Sequence, residues 1–156
     1  MLQTVKRTDI ATKIEMRKEI CDFEEMIGSV EGAIFGDSDM MPLKHTFTPG
    51  MYVREIFLPK GAVCVGKIHR HEHPSFLMSG VVDVATEDGG LERITAPVSM
   101  VSPSGTKRAV YAVEDSVWIT VHLNPTDTTD LEEIEEEVIA KDYKELECHP
   151  IKEITQ

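Results

Sequence analysis

Half of the chain's six histidines fall within five residues, His69, His71 and His73, inside the stretch GAVCVGKIHRHEHPSFLMSG from Gly61 to Gly80. Imidazole is the commonest protein metal ligand and the usual proton carrier near neutral pH. The three share strand parity, so as many as three rings can point to one side. A metal site needs three or four neutral donors converging to about 2.0–2.2 Å from the ion. A fourth candidate, His122, ends the run VWITVH. Three histidines with an open position suit a divalent transition metal: Zn, Fe, Mn or Ni. If the backbone turns between His69 and His73, however, His71 points outward.

Cations offer a second chemistry. Lys67 sits two residues before His69, and Lys107-Arg108 follows a Gly turn. A lysine and a guanidinium can clamp a carboxylate or phosphate. The plain alternatives are a strand-edge role for Lys67 and a salt bridge from Lys107-Arg108 to Glu114 or Asp115. Tyr111 is a candidate for the pocket wall or a core aromatic. Trp118, Met78 and Met100 read as packing residues.

These residues need a scaffold, and the chain supplies strands. Met51 to Leu58 is rich in β-branched and aromatic residues and ends at Pro59-Lys60-Gly61. Further runs cover Ala62–His69, Phe76–Met78, Val81–Thr86, Leu91–Thr95, Val98–Val101, Lys107–Val113 and Ser116–Leu123. Short strands with regular turn signals predict an all-β barrel or jelly roll. An N-terminal helix is expected over about 10–27, with Ile10, Ile14, Ile20, Phe23 and Ile27 as its apolar face. Residues 28–50 read as a loop that carries His45. A C-terminal helix is expected over about 129–140, capped by Asp127 or Thr129, with Leu131, Ile134, Val138 and Ile139 inward. Its glutamates read as a solvated face. Residues 141–156 read as a tail ordered by Tyr143, Leu146 and Ile151.

The chain's 156 residues argue for one domain with the barrel over about 43–125. Net charge is −12, from 28 acids against 16 bases, which disfavours nucleic acid and anionic membrane as partners. Three scattered cysteines, Cys21, Cys64 and Cys148, make no CxxC pattern and suit a reducing compartment. With no apolar leader or membrane-length apolar run, the expected location is cytoplasmic. Serine-hydrolase spacing, a P-loop and GxGxxG are absent from the sequence.

The stretch from Gly61 resembles the first motif of the cupin superfamily: a glycine, five residues, His-x-His, three or four residues, Glu, six residues, Gly. Here the series reads Gly61, Lys67-Ile68-His69, His73 and Gly80. The second motif is a glycine, five residues, Pro-x-Gly, two residues, His, three residues, Asn. Pro97, Pro103-Ser104-Gly105, Arg108 and Ala112 take those places. The region from Pro42 to Ala140 is also similar to small cupin-like proteins of phage and bacterial genomes.

The resemblance implies a cupin-type double-stranded β-helix (jelly-roll) barrel and a homodimer. By position only His69 keeps a family ligand. Lys67 replaces the first histidine, His73 the glutamate and Arg108 the last histidine. Three readings of function follow. In one, His69 and His73, helped by His71 or His122, hold a metal, while Arg108 and Lys67 orient a small anionic molecule. That reading admits isomerisation, lyase or oxygenation chemistry. In another, a metal-free cationic pocket binds a carboxylate or phosphate ligand. In the last, the barrel is only a scaffold and the acidic C-terminal helix contacts a partner.

Overall fold

The computed structural model of this chain describes residues 10–88 and 90–148. The polar lead-in over residues 1–8, Ile151 and the side chain of Cys148 lie outside the described residues. Eleven strands and three helices run in the order α1 (Ile10–Gly28), β1 (Leu43–Thr48), β2 (Met51–Leu58), β3 (Val63–Val65), β4 (Ile68–His69), β5 (His73–Ser79), β6 (Val81–Thr86), β7 (Gly90–Thr95), β8 (Val98–Ser102), β9 (Arg108–Ala112), β10 (Ser116–Leu123), α2 (Leu131–Val138), β11 (Ile139–Ala140) and α3 (Tyr143–Cys148).

All strand pairs are antiparallel. One sheet has the order β1-β2-β10-β5-β8, the other β3-β9-β6-β7, and β11 pairs with β4. Period-two alternation explains how they face each other. In β10, Ser116, Trp118, Thr120 and His122 are buried while their neighbours are less so. Leu58, Leu77 and Trp118 from the first sheet meet Val82, Val84, Val110 and Ala112 from the second in one apolar core.

Register stacks the inward residues of the first sheet in rows. Leu43, Ile56, Trp118, Leu77 and Val98 form an apolar row. His45, Arg54, Thr120, Ser75 and Met100 form a largely polar row beside it. Beyond that, Phe47, Tyr52 and His122 lie in line, and His73 pairs with Ser102. The barrel is thus apolar at one end and polar at the other.

Gly80 carries the chain from the first sheet to the second. Its φ is +86°, and a Cβ there would come within 2.2 Å of Ser116 Oγ and 2.3 Å of the Asp115 carbonyl oxygen. Only glycine fits this passage.

Several expectations change. Residues 43–48 form an edge strand, because Leu43, His45 and Phe47 alternate inward against β2. The run expected over 62–69 breaks at Gly66-Lys67 into β3 and β4, which pair with different partners. The C-terminal helix is shorter than 129–140: its N-cap is Asp130, whose carboxylate accepts the Glu132 and Glu133 N–H groups, and Ile139–Ala140 leave it as strand.

The apolar face expected for α1 is not buried either. Only Ile20 is buried, while Ile10 and Ile14 are 78% and 59% exposed. Charge fastens α1 instead, through Arg17 to Glu87, Lys13 to Asp88 and Glu24 to Lys107. Tyr143 belongs to the same contact, with the Arg17 guanidinium 4.4 Å from its ring centre. No helix among the described residues is long and apolar enough to cross a membrane.

Candidate metal centre

Three of the sequence-marked histidines meet. His69 comes from β4, His73 from the start of β5 and His122 from the end of β10. One ring nitrogen of each lies within 4.8 Å of the other two. Ring centres are 4.4 Å apart for His69–His73, 4.6 Å for His73–His122 and 5.2 Å for His69–His122. Sheet geometry explains the meeting of the last two. Thr120 pairs with Ser75, so two residues further along both antiparallel strands His122 and His73 face each other.

The rings are held neutral. Burial is the largest cause for each, pushing His69 down to about 2, His122 to about 3 and His73 below its ordinary value. For His69 and His122 the neighbouring His73 and Arg54 add to this, whereas the His71 carbonyl bond pulls His73 the other way without cancelling its burial.

Hydrogen bonding fixes one tautomer. His73 Nδ1 lies 3.0 Å from the His71 carbonyl oxygen, which only accepts, so Nδ1 carries the proton and Nε2 keeps its lone pair. That Nε2 is buried and has no hydrogen-bond partner among the described residues, and neither has the buried Nδ1 of His69. A buried imidazole nitrogen left without a partner costs roughly 1–3 kcal/mol. Two such nitrogens beside a third neutral ring are the donor set a divalent transition metal takes, so the residues fit a metal.

His71 does not join them. The chain turns after His69, the parity of a continuous strand is lost, and the His71 ring is exposed. Its contribution is the backbone carbonyl that orients His73. Lys67, at the family's first ligand position, is exposed at the cavity rim and ion-paired with Glu135 of α2. Tyr111 is 44% exposed and stands on the outer face of β9, three residues from Arg108 and therefore of opposite parity. Lys107 is buried against Glu24 rather than bridging to Glu114 or Asp115.

Arg108 points inward. Its Nη2 donates to Ser102 Oγ at 2.9 Å, and its guanidinium carbon lies 5.9 Å from the Trp118 ring centre. Ser102 and Ser75 share a buried hydroxyl–hydroxyl bond of 2.7 Å.

His69 and His122 open onto a cavity of about 920 Å³ whose lining also includes Arg54, Arg108, Trp118 and Tyr52. Sequence reasoning missed Tyr52 and Arg54. Tyr52 binds His45 Nδ1 through its hydroxyl at 2.8 Å and stacks on His122 at 5.9 Å. The signal was available: Tyr52, Arg54, Ile56 and Leu58 share one parity in β2, so an inward Leu58 implies an inward arginine.

Elements remote in sequence hold the site. β11 pairs Ile139 with His69, and the Arg70 N–H donates to the Val138 carbonyl at 2.8 Å. The Gly105 N–H donates to the His69 carbonyl, also at 2.8 Å. His69 is thus fixed from both sides by backbone.

No family model matches this chain, and no curated protein matches it. Solved structures do. KdgF from a Halomonas species is 22% identical with a TM-score of 0.46, over 56% of this chain and 82% of that one. An RmlC-like cupin with a double-stranded β-helix fold from Methanocaldococcus jannaschii is 14% identical with a TM-score of 0.46, over 60% and 90%. Salicylate 1,2-dioxygenase from Pseudoaminobacter salicylatoxidans, in its adducts with gentisate, is 11% identical with a TM-score of 0.52. That match takes in 80% of this chain and 34% of the dioxygenase, so the chain spans about a third of that protein's length. At such identities the likeness is one of fold. Two antiparallel sheets closed around one core, with a histidine cluster at the polar end, give the chain the fold of a double-stranded β-helix of the jelly-roll type.

Proposed function

We propose that this protein is a metal-binding cupin that takes a small polar molecule into its barrel cavity, with His69, His73 and His122 as the metal ligands. The observation that carries this reading is the pair of buried, unpartnered nitrogens, His73 Nε2 and His69 Nδ1, in a cluster whose rings are all held neutral. A proton normally competes with a metal for the histidine nitrogen. Here burial has already removed that competition.

Three imidazoles leave coordination positions for a ligand facing the cavity. The chemistry a divalent transition metal supplies in such a place is polarisation of a bound oxygen or, for a redox-active ion, electron exchange. The chain's own residues supply the rest. The His71 carbonyl holds the proton on His73 Nδ1. Tyr52 and His45, joined by a hydrogen bond beside His122, place a hydroxyl and an imidazole next to the cluster as proton-handling groups. Trp118 and Ile56 exclude water from the far wall.

Elemental mass spectrometry of the purified, untagged protein tests the reading. The expected result is close to one equivalent of a transition metal per chain. In the His69→Ala/His73→Ala double variant that metal is lost while circular dichroism keeps its β signature. Metal content unchanged in the double variant, or a wild-type protein that stays metal-free after incubation with Zn, Mn, Ni and Fe(II), would overturn it.

A further inference from the structure

The cavity holds a charge imbalance that the metal reading does not use. Its lining carries three carboxylates, and each is engaged: Glu24 with Lys107, Glu135 with Lys67, and Asp37 through the Leu43 N–H at 2.8 Å. The two inward arginines are not so engaged. Among the described residues, Arg108 has only the neutral Ser102 hydroxyl and the Trp118 face. Arg54, half-buried in register with Thr120 and His45, has no hydrogen bond or ion pair among the described residues. Both guanidiniums line the cavity that His69 and His122 face. In a chain with net charge −12, two unpaired guanidiniums have been kept in one cavity.

A desolvated guanidinium without a counter-ion is costly, and the cost is recovered when an anion arrives. The wall narrows the class of anion. Arg54 and Arg108 themselves stand on strands β2 and β9, whose N–H groups are paired in ladders with β1, β10, β3 and β6, so among the described residues their own strands offer no free amide nest beside them. A planar guanidinium fork matches a planar carboxylate. Beside the arginines, Ile56, Leu58, Val110 and Trp118 offer an apolar wall.

We propose that the cavity is a carboxylate site, in which Arg54 and Arg108 bind the carboxylate of a small organic acid whose apolar body lies against Trp118 and Ile56. This inference rests on the reading that the barrel cavity is the ligand site, and it names the substrate class for it.

Trp118 is the sole tryptophan and lines the cavity, so its emission reports occupancy. The probes are phenylacetate, its neutral isostere phenylacetamide, and inorganic phosphate, titrated at constant ionic strength. Phenylacetate should change Trp118 emission saturably, and phenylacetamide should bind at least roughly tenfold more weakly, as expected for loss of a charge-assisted bond. Arg54→Gln and Arg108→Gln should each weaken phenylacetate roughly tenfold, while Arg54→Lys, which keeps the charge but not the fork, should fall between. Thermal melts confirm folding of each variant, and Arg54→Lys serves where Arg54→Gln fails to fold.

No saturable phenylacetate signal, equal affinity for acid and amide, or affinity unchanged in both arginine variants would overturn the proposal. Phosphate outcompeting phenylacetate would overturn the carboxylate assignment. The same titration in the His69→Ala/His73→Ala variant separates this inference from the metal reading. Arginine-dependent binding that persists there stands without a metal, and metal bound by a wild-type protein blind to phenylacetate leaves only the metal reading.

Discussion

Ile139 lies directly across from His69 in an antiparallel pair, so the two-residue strand that leaves the C-terminal helix backs one of the three clustered histidines. Helix α2 is anchored for this purpose by Ile134 and Val138, both 6% exposed and packed with Tyr52. Ile134→Ala should therefore cost roughly 2–5 kcal/mol, as for other buried large-to-small changes. It should also weaken metal retention, although no ligand is altered. Glu136→Ala, on the exposed side of the same helix, should do little to either. Urea denaturation with parallel metal analysis decides; a destabilised Ile134→Ala that keeps full metal affinity would detach α2 from the site.

The exposed ring of His71 and the buried ring of His122 make opposite forecasts. His122→Ala removes a donor and should lower Zn affinity by more than about 100-fold, beyond what loss of a supporting contact costs. His71→Ala keeps the backbone carbonyl that orients His73 and should leave affinity within about threefold, since no contact to the metal set is lost. Competition with a chromogenic chelator measures both. Equal losses would mean that His71 folds inward on metal binding.

Ser75 and Ser102 are fully buried and satisfy each other, and Ser102 also receives Arg108. Ser102→Ala strands the Ser75 hydroxyl and should destabilise by roughly 1–3 kcal/mol. The Ser75→Ala/Ser102→Ala pair should cost less than the two single changes summed, because neither then leaves a stranded partner. Additive losses in chemical denaturation would show that the hydroxyl pair is not coupled.

Cys64, on the cavity wall, has its thiol pushed up to about 11 by burial, partly opposed by Arg54. The thiolate is the nucleophile, so iodoacetamide should label Cys64 slowly at about pH 8 and roughly tenfold faster per pH unit until about pH 11. Peptide-resolved mass spectrometry follows the rate. A plateau below about pH 9 would contradict a thiol raised in this way.

Much of the barrel was legible because strands write themselves in period two. Ser116–Leu123 alternates in burial, and Met51–Leu58 is rich in β-branched and aromatic residues and stops at Pro59-Lys60-Gly61, so both spans hold to the residue. The turn glycine Gly80 was equally legible, since the passage between sheets excludes any side chain. Edge strand β1 was not, because Pro42, Pro49 and Gly50 read as loop while only pairing with β2 makes Leu43–Thr48 a strand. The face of α1 failed for a related reason. Its isoleucines are spaced for burial, yet buried Glu87 and Lys107 on the barrel call for countercharges, and the helix docks on those.

The sequence by itself determined the fold class, the histidine-dense stretch and the candidacy of His69, His73, His122 and Arg108, because residue type and local periodicity are properties of neighbours along the chain. Tertiary structure alone decided which of them meet. A turn after His69 breaks the shared parity and turns His71 out, strand register brings His122 from about fifty residues away, and burial holds the three rings neutral. Arg54 acquired its place in the same way. Its inward direction is a matter of parity, but its lack of a carboxylate partner depends on every chain segment that lines the cavity, and no window of sequence contains them all.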